Sequence, residues 1–313
     1  MNRSKIAVIG ECMIEVSGQQ NLKQGFGGDT LNTAVYLARQ TVEANIDVFY
    51  ITALGIDRFS DQMINAWTKE GIDTSFVQRL PGRLPGLYWI DTDDKGERTF
   101  HYWRESSAAR HWVSSAEGER TCNALAEFDA IYLSGISLAV LDTSSRNTLF
   151  TALEACQSKG GKIYFDNNFR PRLWACIEDA RLAHSRVMGI ADITFLTLDD
   201  EILLWGYECV EDVIAQVGRE GRGECVIKRG SQSCIVINHG DATEIDSIKL
   251  ADSQVVDTTA AGDSFSAGYL AARMQGASIV ESAENAHRLA SAVIQHRGAI
   301  IPIGVTPRLL KDQ

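Results

Sequence analysis

What most limits the folds open to this chain is the alternation of short apolar runs with amphipathic stretches. Residues 5–10 (Lys5-Ile6-Ala7-Val8-Ile9-Gly10) form an apolar run closed by glycine, which reads as a strand buried on both faces. Residues 12–16 continue extended until the polar stretch 17–24 breaks the pattern. Gly25-Phe26-Gly27-Gly28-Asp29-Thr30-Leu31-Asn32 then reads as a glycine turn feeding a helix, with Leu31, Ala34, Val35 and Ala38 at helical spacing. A second apolar run at 46–53 and a second helix at 59–67, introduced by Gly55-Ile56-Asp57, complete a β–α–β–α unit. The alternation resumes after residue 128, with strands at 130–133, 162–165, 193–196, 224–228 and 234–237. Strands that alternate with helices pair in parallel through right-handed crossovers. The expected fold is therefore α/β, a doubly wound, mostly parallel sheet flanked by helices. With 313 residues, 45% of them hydrophobic, the chain can bury one large core and carry a small appendage.

The appendage announces itself by a change of texture. From 76 to 107, Pro81, Gly82, Pro85, Gly86 and Gly96 punctuate two alternating runs, 87–91 and 98–104. Asp93-Asp94-Lys95-Gly96 is the polar connection between them, so the pair reads as a β-hairpin. The expected organisation is a main domain of residues 1–11, 28–75 and 108–313 with a discontinuous β lid of 12–27 and 76–107. On the second arm Phe100, Tyr102 and Arg104 share a face by strand alternation, and Tyr88 can join them. Alternation alone equally allows ordinary core aromatics and a solvated arginine at a sheet edge. The glycine-rich, charged stretch 218–223 reads as a surface loop.

The chemistry concentrates in Asp257-Thr258-Thr259-Ala260-Ala261-Gly262-Asp263-Ser264-Phe265. Val255 and Val256 read as a strand end, the small residues as a tight turn, and Phe265, Tyr269 and Ala272 as the start of a helix. First-turn amides have no partner within their helix and sit at the positive end of its dipole. Small residues let an anion approach that backbone closely. Asp263 beside such an anion hole cannot anchor a phosphate, but it can take a proton from an alcohol. The alternative is that Asp263 is simply the helix N-cap.

This stretch closely resembles the C-terminal signature of the ribokinase-like family of sugar and nucleoside kinases, commonly Asp-Thr-x-Gly-Ala-Gly-Asp. Ala260 stands where that signature has glycine, which is tolerable as long as the backbone there does not need positive φ. The resemblance implies a ribokinase-like fold and ATP-dependent phosphoryl transfer to a sugar hydroxyl. Asp263 would be the general base, and Ala260, Ala261, Gly262 and Arg170 would stabilise the transferring group. It also implies that Gly28, Asp29 and Asn32, in the Gly-Gly-x-x-x-Asn element, line the sugar pocket. Lys228-Arg229-Gly230-Ser231 would lie beside the nucleotide, with the backbone of Lys228, Gly230 and Ser231 near phosphates and ribose. Asn168, in Asp166-Asn167-Asn168-Phe169-Arg170, would approach the phosphates and the waters of Mg²⁺, while Arg170 bridges phosphate and substrate. Thr197-Leu198-Asp199-Asp200 stands where many relatives carry Asn-x-x-Glu, leaving Asp200 a role at Mg²⁺ through water and no direct protein ligand for the metal. His287 aligns loosely with an adenine-facing position, although helical periodicity alone reads it as structural. A monovalent cation (K⁺) near Asp257 and Thr259 is a further family property.

Gly27-Gly28-Asp29, Gly86-Leu87-Tyr88, Tyr102-Trp103-Arg104 and the 166–170 segment together are similar to family members that phosphorylate a sugar acid at its terminal hydroxyl. An acid adds a carboxylate to the hydroxyls, and the planar fork of arginine binds carboxylates bidentately. Arg104 and Arg170 are the candidates for it, with Gly28, Asn32, Tyr88 and Tyr102 on the hydroxyls. The rival readings are a kinase of a neutral sugar such as fructose or ribose, and a non-catalytic sugar or nucleotide sensor.

Other classes are disfavoured. A formal charge of −11 argues against a nucleic-acid or anionic-membrane surface. Seven cysteines, odd in number and never spaced Cys-x-x-Cys, speak for reduced thiols and a cytoplasmic location. No run is long and apolar enough to span a bilayer. Neither a P-loop nor the Gly-x-Gly-x-x-Gly turn of dinucleotide enzymes occurs. A lid with an exposed sheet face favours a homo-oligomer built through it.

Overall fold

A computed structural model describes residues 3–18, 21–92, 98–220 and 223–309. Thirteen strands are found among the described residues. They are β1 (Ser4–Ile9), β2 (Met13–Ser17), β3 (Lys23–Gly27), β4 (Ile46–Leu54), β5 (Val77–Arg79), β6 (Leu87–Thr92) and β7 (Arg98–Trp103), then β8 (Ala130–Ser134), β9 (Lys162–Asp166), β10 (Ile193–Thr197), β11 (Glu224–Lys228), β12 (Cys234–Asn238) and β13 (Asp241–Ile245). Nine form a sheet of order β13-β12-β11-β10-β9-β8-β1-β4-β5. All its pairings are parallel except the last two, β11–β12 and β12–β13. The other four form a small sheet of order β3-β2-β6-β7.

The apolar runs behave as strands because both their faces are covered. In β1, Ile6 and Val8 pack into one core layer while Ala7 and Ile9 pack into the other, and all four are fully buried. The first layer holds the helices Asp29–Thr41, Ala261–Arg273 and Ile279–Val293, and the second holds Thr143–Ser158 and Ile177–Met188. Helix Ala261–Arg273 lies tightly on Ile279–Val293, where a Cβ at Gly268 would come within 3.1 Å of the Ala286 Cα. The chain passes from β1 to β4 on one side of the sheet and from β8 to β11 on the other. The strand order therefore reverses at β1, and open α/β sheets bind ligands beyond the carboxyl ends of strands at such a reversal.

Four expectations change. Residues 25–27 are the end of β3, paired with β2 from Gly25↔Glu15 to Gly27↔Met13, so the glycine turn is confined to Gly28. Alternation was invisible there because glycines occupy the face turned toward Glu15 and Tyr88. Val77–Arg79, counted within the lid segment 76–107, is an edge strand of the main sheet through Thr52↔Val77 and its neighbours. Val255 and Val256 form no strand; they are 39% and 50% exposed, and β13 already occupies that end of the sheet. The stretch 218–223 is helical as far as Glu220, in helix Val210–Glu220, and residues 221–222 lie outside the described residues. The hairpin pairs β6 with β7 as expected, while its connection 93–96 also lies outside them.

Candidate active site

The carboxyl ends of β9, β10 and β11, the starts of helices Asp29–Thr41 and Ala261–Arg273, and the small sheet enclose a cleft of about 1710 Å³. That is room for more than one small ligand. The glycines at its edge are there for close approach. A Cβ at Gly27 would come within 2.0 Å of the Tyr88 hydroxyl, and one at Gly28 within 2.3 Å of the Glu11 carbonyl.

At the floor, Ala260 is the N-cap of helix Ala261–Arg273 with φ 61° and ψ 16°, a left-handed conformation. The backbone thus does require positive φ where this chain has alanine. The turn is braced by Asp257, whose carboxylate accepts from Thr259 N at 3.0 Å and Gly298 N at 3.0 Å. Of the amides expected to receive an anion, that of Ala261 is already used, donating to Thr258 O at 3.2 Å. The amides of Gly262 and Asp263 open the helix, where no preceding turn supplies carbonyls.

Asp263 is the third residue of this helix, and its carboxylate turns away from the helix amides. Its Oδ2 accepts from Asn32 Nδ2 at 2.8 Å, so it does not act as the cap. Burial drives its pKa up, the charge of Asp29 adds to this, and the Asn32 bond opposes it. A carboxylate raised toward neutrality beside unpaired amides is suited to accepting a proton. Asn32 Oδ1 is buried with no partner among the described residues, an acceptor awaiting a hydroxyl.

Asp29 accepts from Asn168 Nδ2 at 2.7 Å, and Asn168 itself sits at φ 26°. Asn168 therefore joins the loop after β9 to the start of helix Asp29–Thr41. Its neighbour Asn167 ties β9 to β10, donating to Glu201 at 3.0 Å and accepting from Thr197 N at 3.0 Å. Glu201 is pushed up to about 7 by burial. Asp200 accepts from Phe169 N at 3.2 Å and lies 3.4 Å from Arg170 Nη1; burial raises its pKa and Arg170 opposes that. Arg170, half exposed, and Asp200 both line the cleft. Among the described residues no group of three or more His, Cys, Asp or Glu could hold a metal ion.

The side chain of Lys228 turns inward. Its Nζ lies 2.7 Å from Asp166 Oδ2, which also accepts from Ser266 Oγ at 2.8 Å. A Cβ at Gly262 would lie 3.5 Å from that Nζ, so a buried ion pair backs the helix start. Beyond it a second cavity of about 410 Å³ is lined by Gly230, Ser231, Phe265 and His287. His287 stacks edge-on to Phe265 at 5.0 Å, burial lowers its pKa, and its Nε2 has no partner among the described residues.

On the lid side Tyr88, Phe100 and Tyr102 share one face, with ring centroids 6.0 to 6.4 Å apart. The Tyr88 O–H donates to Glu15, leaving only its oxygen to accept from a ligand. Arg104 lines the cleft but is buried, bonded through Nε and Nη2 to Glu11. The residues expected from the sequence to meet substrate or nucleotide border one of these two cavities, whereas Asp257, expected beside a monovalent cation, borders neither. Glu11, Glu15, Ser266 and Glu201 were not foreseen. Of these only Glu11 carried a signal, since it follows the end of a buried strand. All seven cysteines are free, five of them buried. No helix among the described residues is long and apolar enough to cross a membrane.

Residues 3–305 match the sequence profile of the pfkB family carbohydrate kinases. A 2-dehydro-3-deoxygluconokinase of Escherichia coli (strain K12) is 54% identical over 305 residues, 97% of this chain and 99% of that protein. A protein of the same name from Dickeya dadantii (strain 3937) is 53% identical, covering 98% of this chain and all of the other. Among solved structures, a fructokinase from Xylella fastidiosa with bound ATP superposes with a TM-score of 0.82 at 22% identity, over 97% of this chain and 95% of that one.

Proposed function

The chain belongs to the pfkB family of carbohydrate kinases, and we propose that it transfers the γ-phosphoryl group of ATP to the 6-hydroxyl of 2-dehydro-3-deoxygluconate (2-keto-3-deoxygluconate) in the cytoplasm. The observation that carries the transfer is the meeting of Asp263, Asn32 and the first amides of helix Ala261–Arg273 at one point of the cleft. The substrate assignment rests on two cations, Arg104 and Arg170, bordering the same space, and on the relatives more than half identical to this chain.

The sugar acid lies between the main sheet and the small one, its carboxylate on Arg104 and Arg170. Its hydroxyls meet Gly28, Asp29, Asn32 and Tyr102, and the Tyr88 oxygen. Asp263 takes the proton of the attacking hydroxyl. The amides of Gly262 and Asp263, with Ala260 completing the turn, stabilise charge on the transferring group. The nucleotide base occupies the second cavity, where His287 Nε2 offers a polar contact and Gly230 and Ser231 border the ribose. When bound with ATP, Mg²⁺ would supply neutralisation of part of the phosphate charge. The cleft offers hard oxygen donors and, among the described residues, no cluster of three or more that would cage the ion, so Asp200 and Asn168 would meet it through water. The small sheet acts as a lid that excludes water, and its exposed aromatic strand pairs two copies. A K⁺ ion at the Asp257 turn is part of the same reading.

The test is an ATP-coupled screen of sugar acids against neutral hexoses and pentoses. Turnover confined to 2-dehydro-3-deoxygluconate and close analogues is the expected result. Equal or better turnover of fructose or ribose would overturn the substrate, and no phosphorylation of any sugar would overturn the reaction.

A further inference from the structure

We propose that Glu11 is a positioning residue for substrate selection: its buried carboxylate holds the Arg104 guanidinium in register with the carboxylate of the substrate. The inference rests on the reading of Arg104 as a carboxylate ligand given above. Glu11 is 1% exposed and Arg104 8%, and the pair lies at a particular place in the fold. Glu11 belongs to the segment that carries the chain out of β1 into β2, and Arg104 begins the segment that returns it from β7. The other two crossings between the sheets, at Gly28 and Gly86, close around the same spot. A Cβ at Gly86 would come within 2.9 Å of Glu11 Oε1 and 3.2 Å of Arg104 Cβ, and one at Gly28 within 3.1 Å of Cys12 Cα. All four crossings thus wall in a single ion pair.

The pairing leaves both partners incomplete. Arg104 Nε, at 2.9 Å, and Nη2 both donate to Glu11 Oε2. Nη1, with its two N–H groups, has no partner among the described residues on a side chain that borders the cleft. Glu11 Oε1 is likewise buried without a partner among the described residues. A buried ion pair is weak evidence for stability, since apolar residues of similar volume often serve as well. What it does supply is orientation. Two bonds to one oxygen fix the plane of the guanidinium, and bidentate recognition of a second carboxylate depends on that plane. A substrate lacking the carboxylate gains nothing from it. Glu11 therefore acts on acidic substrates only, and only through Arg104.

The experiment is steady-state kinetics of the full chain, wild type, Glu11→Gln, Glu11→Asp, Arg104→Ala and the double variant Glu11→Gln/Arg104→Ala, with thermal melts alongside. Glu11→Gln is expected to raise KM for the sugar acid about ten-fold or more, because small misplacements of a positioning group are costly. KM for ATP should stay within about two-fold, and the double variant should be no worse than Arg104→Ala alone, since both act through one guanidinium. Should Glu11→Gln fail to fold, Glu11→Asp keeps the charge, draws the guanidinium back by one methylene, and should show the same split in smaller measure. An unchanged or lower KM for the acid in a folded Glu11 variant, or losses that add to those of Arg104→Ala, would overturn the proposal. An Arg104→Ala enzyme with an unaltered KM would overturn it together with the reading of Arg104. A normal loss in Arg104→Ala with none in the Glu11 variants would overturn it alone.

Discussion

The environment of Asp263 sets two effects against each other. A group whose folded pKa is raised contributes stability that is complete below its unfolded value, near 3.9 for Asp, and lost as pH rises through the folded value. At neutral pH the ionised carboxylate is therefore a burden on the fold, one that the proposed role as general base would account for. Asp263→Asn preserves the acceptor for Asn32 Nδ2 and removes the charge. It is expected to lower kcat by about 10²–10⁴ while the melting temperature at pH 7 stays level or rises. Nucleotide affinity, read by calorimetry, should be unchanged; a parallel loss of binding and stability would mark the residue as structural. The wild-type kcat/KM should fall as pH drops through the raised pKa, with its acidic limb lying above the ordinary aspartate range. The place of Asp263 at the opening of a helix was legible from its neighbours in sequence. Asn32, its partner 231 positions away, was legible only through the family resemblance, because side-chain pairing across a fold leaves no local trace.

Among the elements, the loop into helix Ala261–Arg273 shows where local reading fails. Two valines predicted a strand, yet a strand needs a neighbour, and that end of the sheet is taken by β13. The glycines of β3 hid a strand for the converse reason: its partners were legible only once β2 was beside it. The same loop bears strain at Ala260, φ 61°. An alanine in the left-handed region costs about 1–2 kcal/mol, and the greater freedom of glycine in the unfolded chain costs about 0.5–1 kcal/mol. Ala260→Gly is therefore expected to gain stability by about 0.5–1 kcal/mol, or a few degrees in melting temperature. A lower melting temperature would show that the methyl makes contacts worth more than the strain. On the small sheet, edge strand β7 exposes Phe100, Tyr102 and Trp103 at 40%, 50% and 59%. Proteins blunt or cover such open edges, and the proposed oligomer would cover this one with a second copy. Trp103→Glu should halve the mass seen by sedimentation velocity, and a monomeric wild type would dispose of the lid interface.

At the scale of the whole molecule, the nine-stranded sheet was largely legible because strands buried on both faces spell themselves out as apolar runs. The site was legible as separate motifs, and their convergence follows from the reversal of strand order at β1, which no single motif encodes. That geometry makes the two sheets thermodynamically distinct partners around one cleft. On the proposed reading the acid would touch both, through Arg104 on one side and Asp263 and Asn32 on the other, while the nucleotide would touch only the main sheet; these residues line the two cavities accordingly. A ligand at 100 times its dissociation constant adds about 2.7 kcal/mol to whatever it binds. Sugar acid alone should therefore protect residues on β6 and β7 from hydrogen exchange as well as those at the start of helix Ala261–Arg273. A non-hydrolysable ATP analogue alone should protect the helix start and the Gly230 turn while leaving β6 and β7 as they were. Protection of the small sheet by nucleotide alone would mean that the lid answers to phosphate rather than to sugar. Selection of the acid would then have to occur before closure instead of through it.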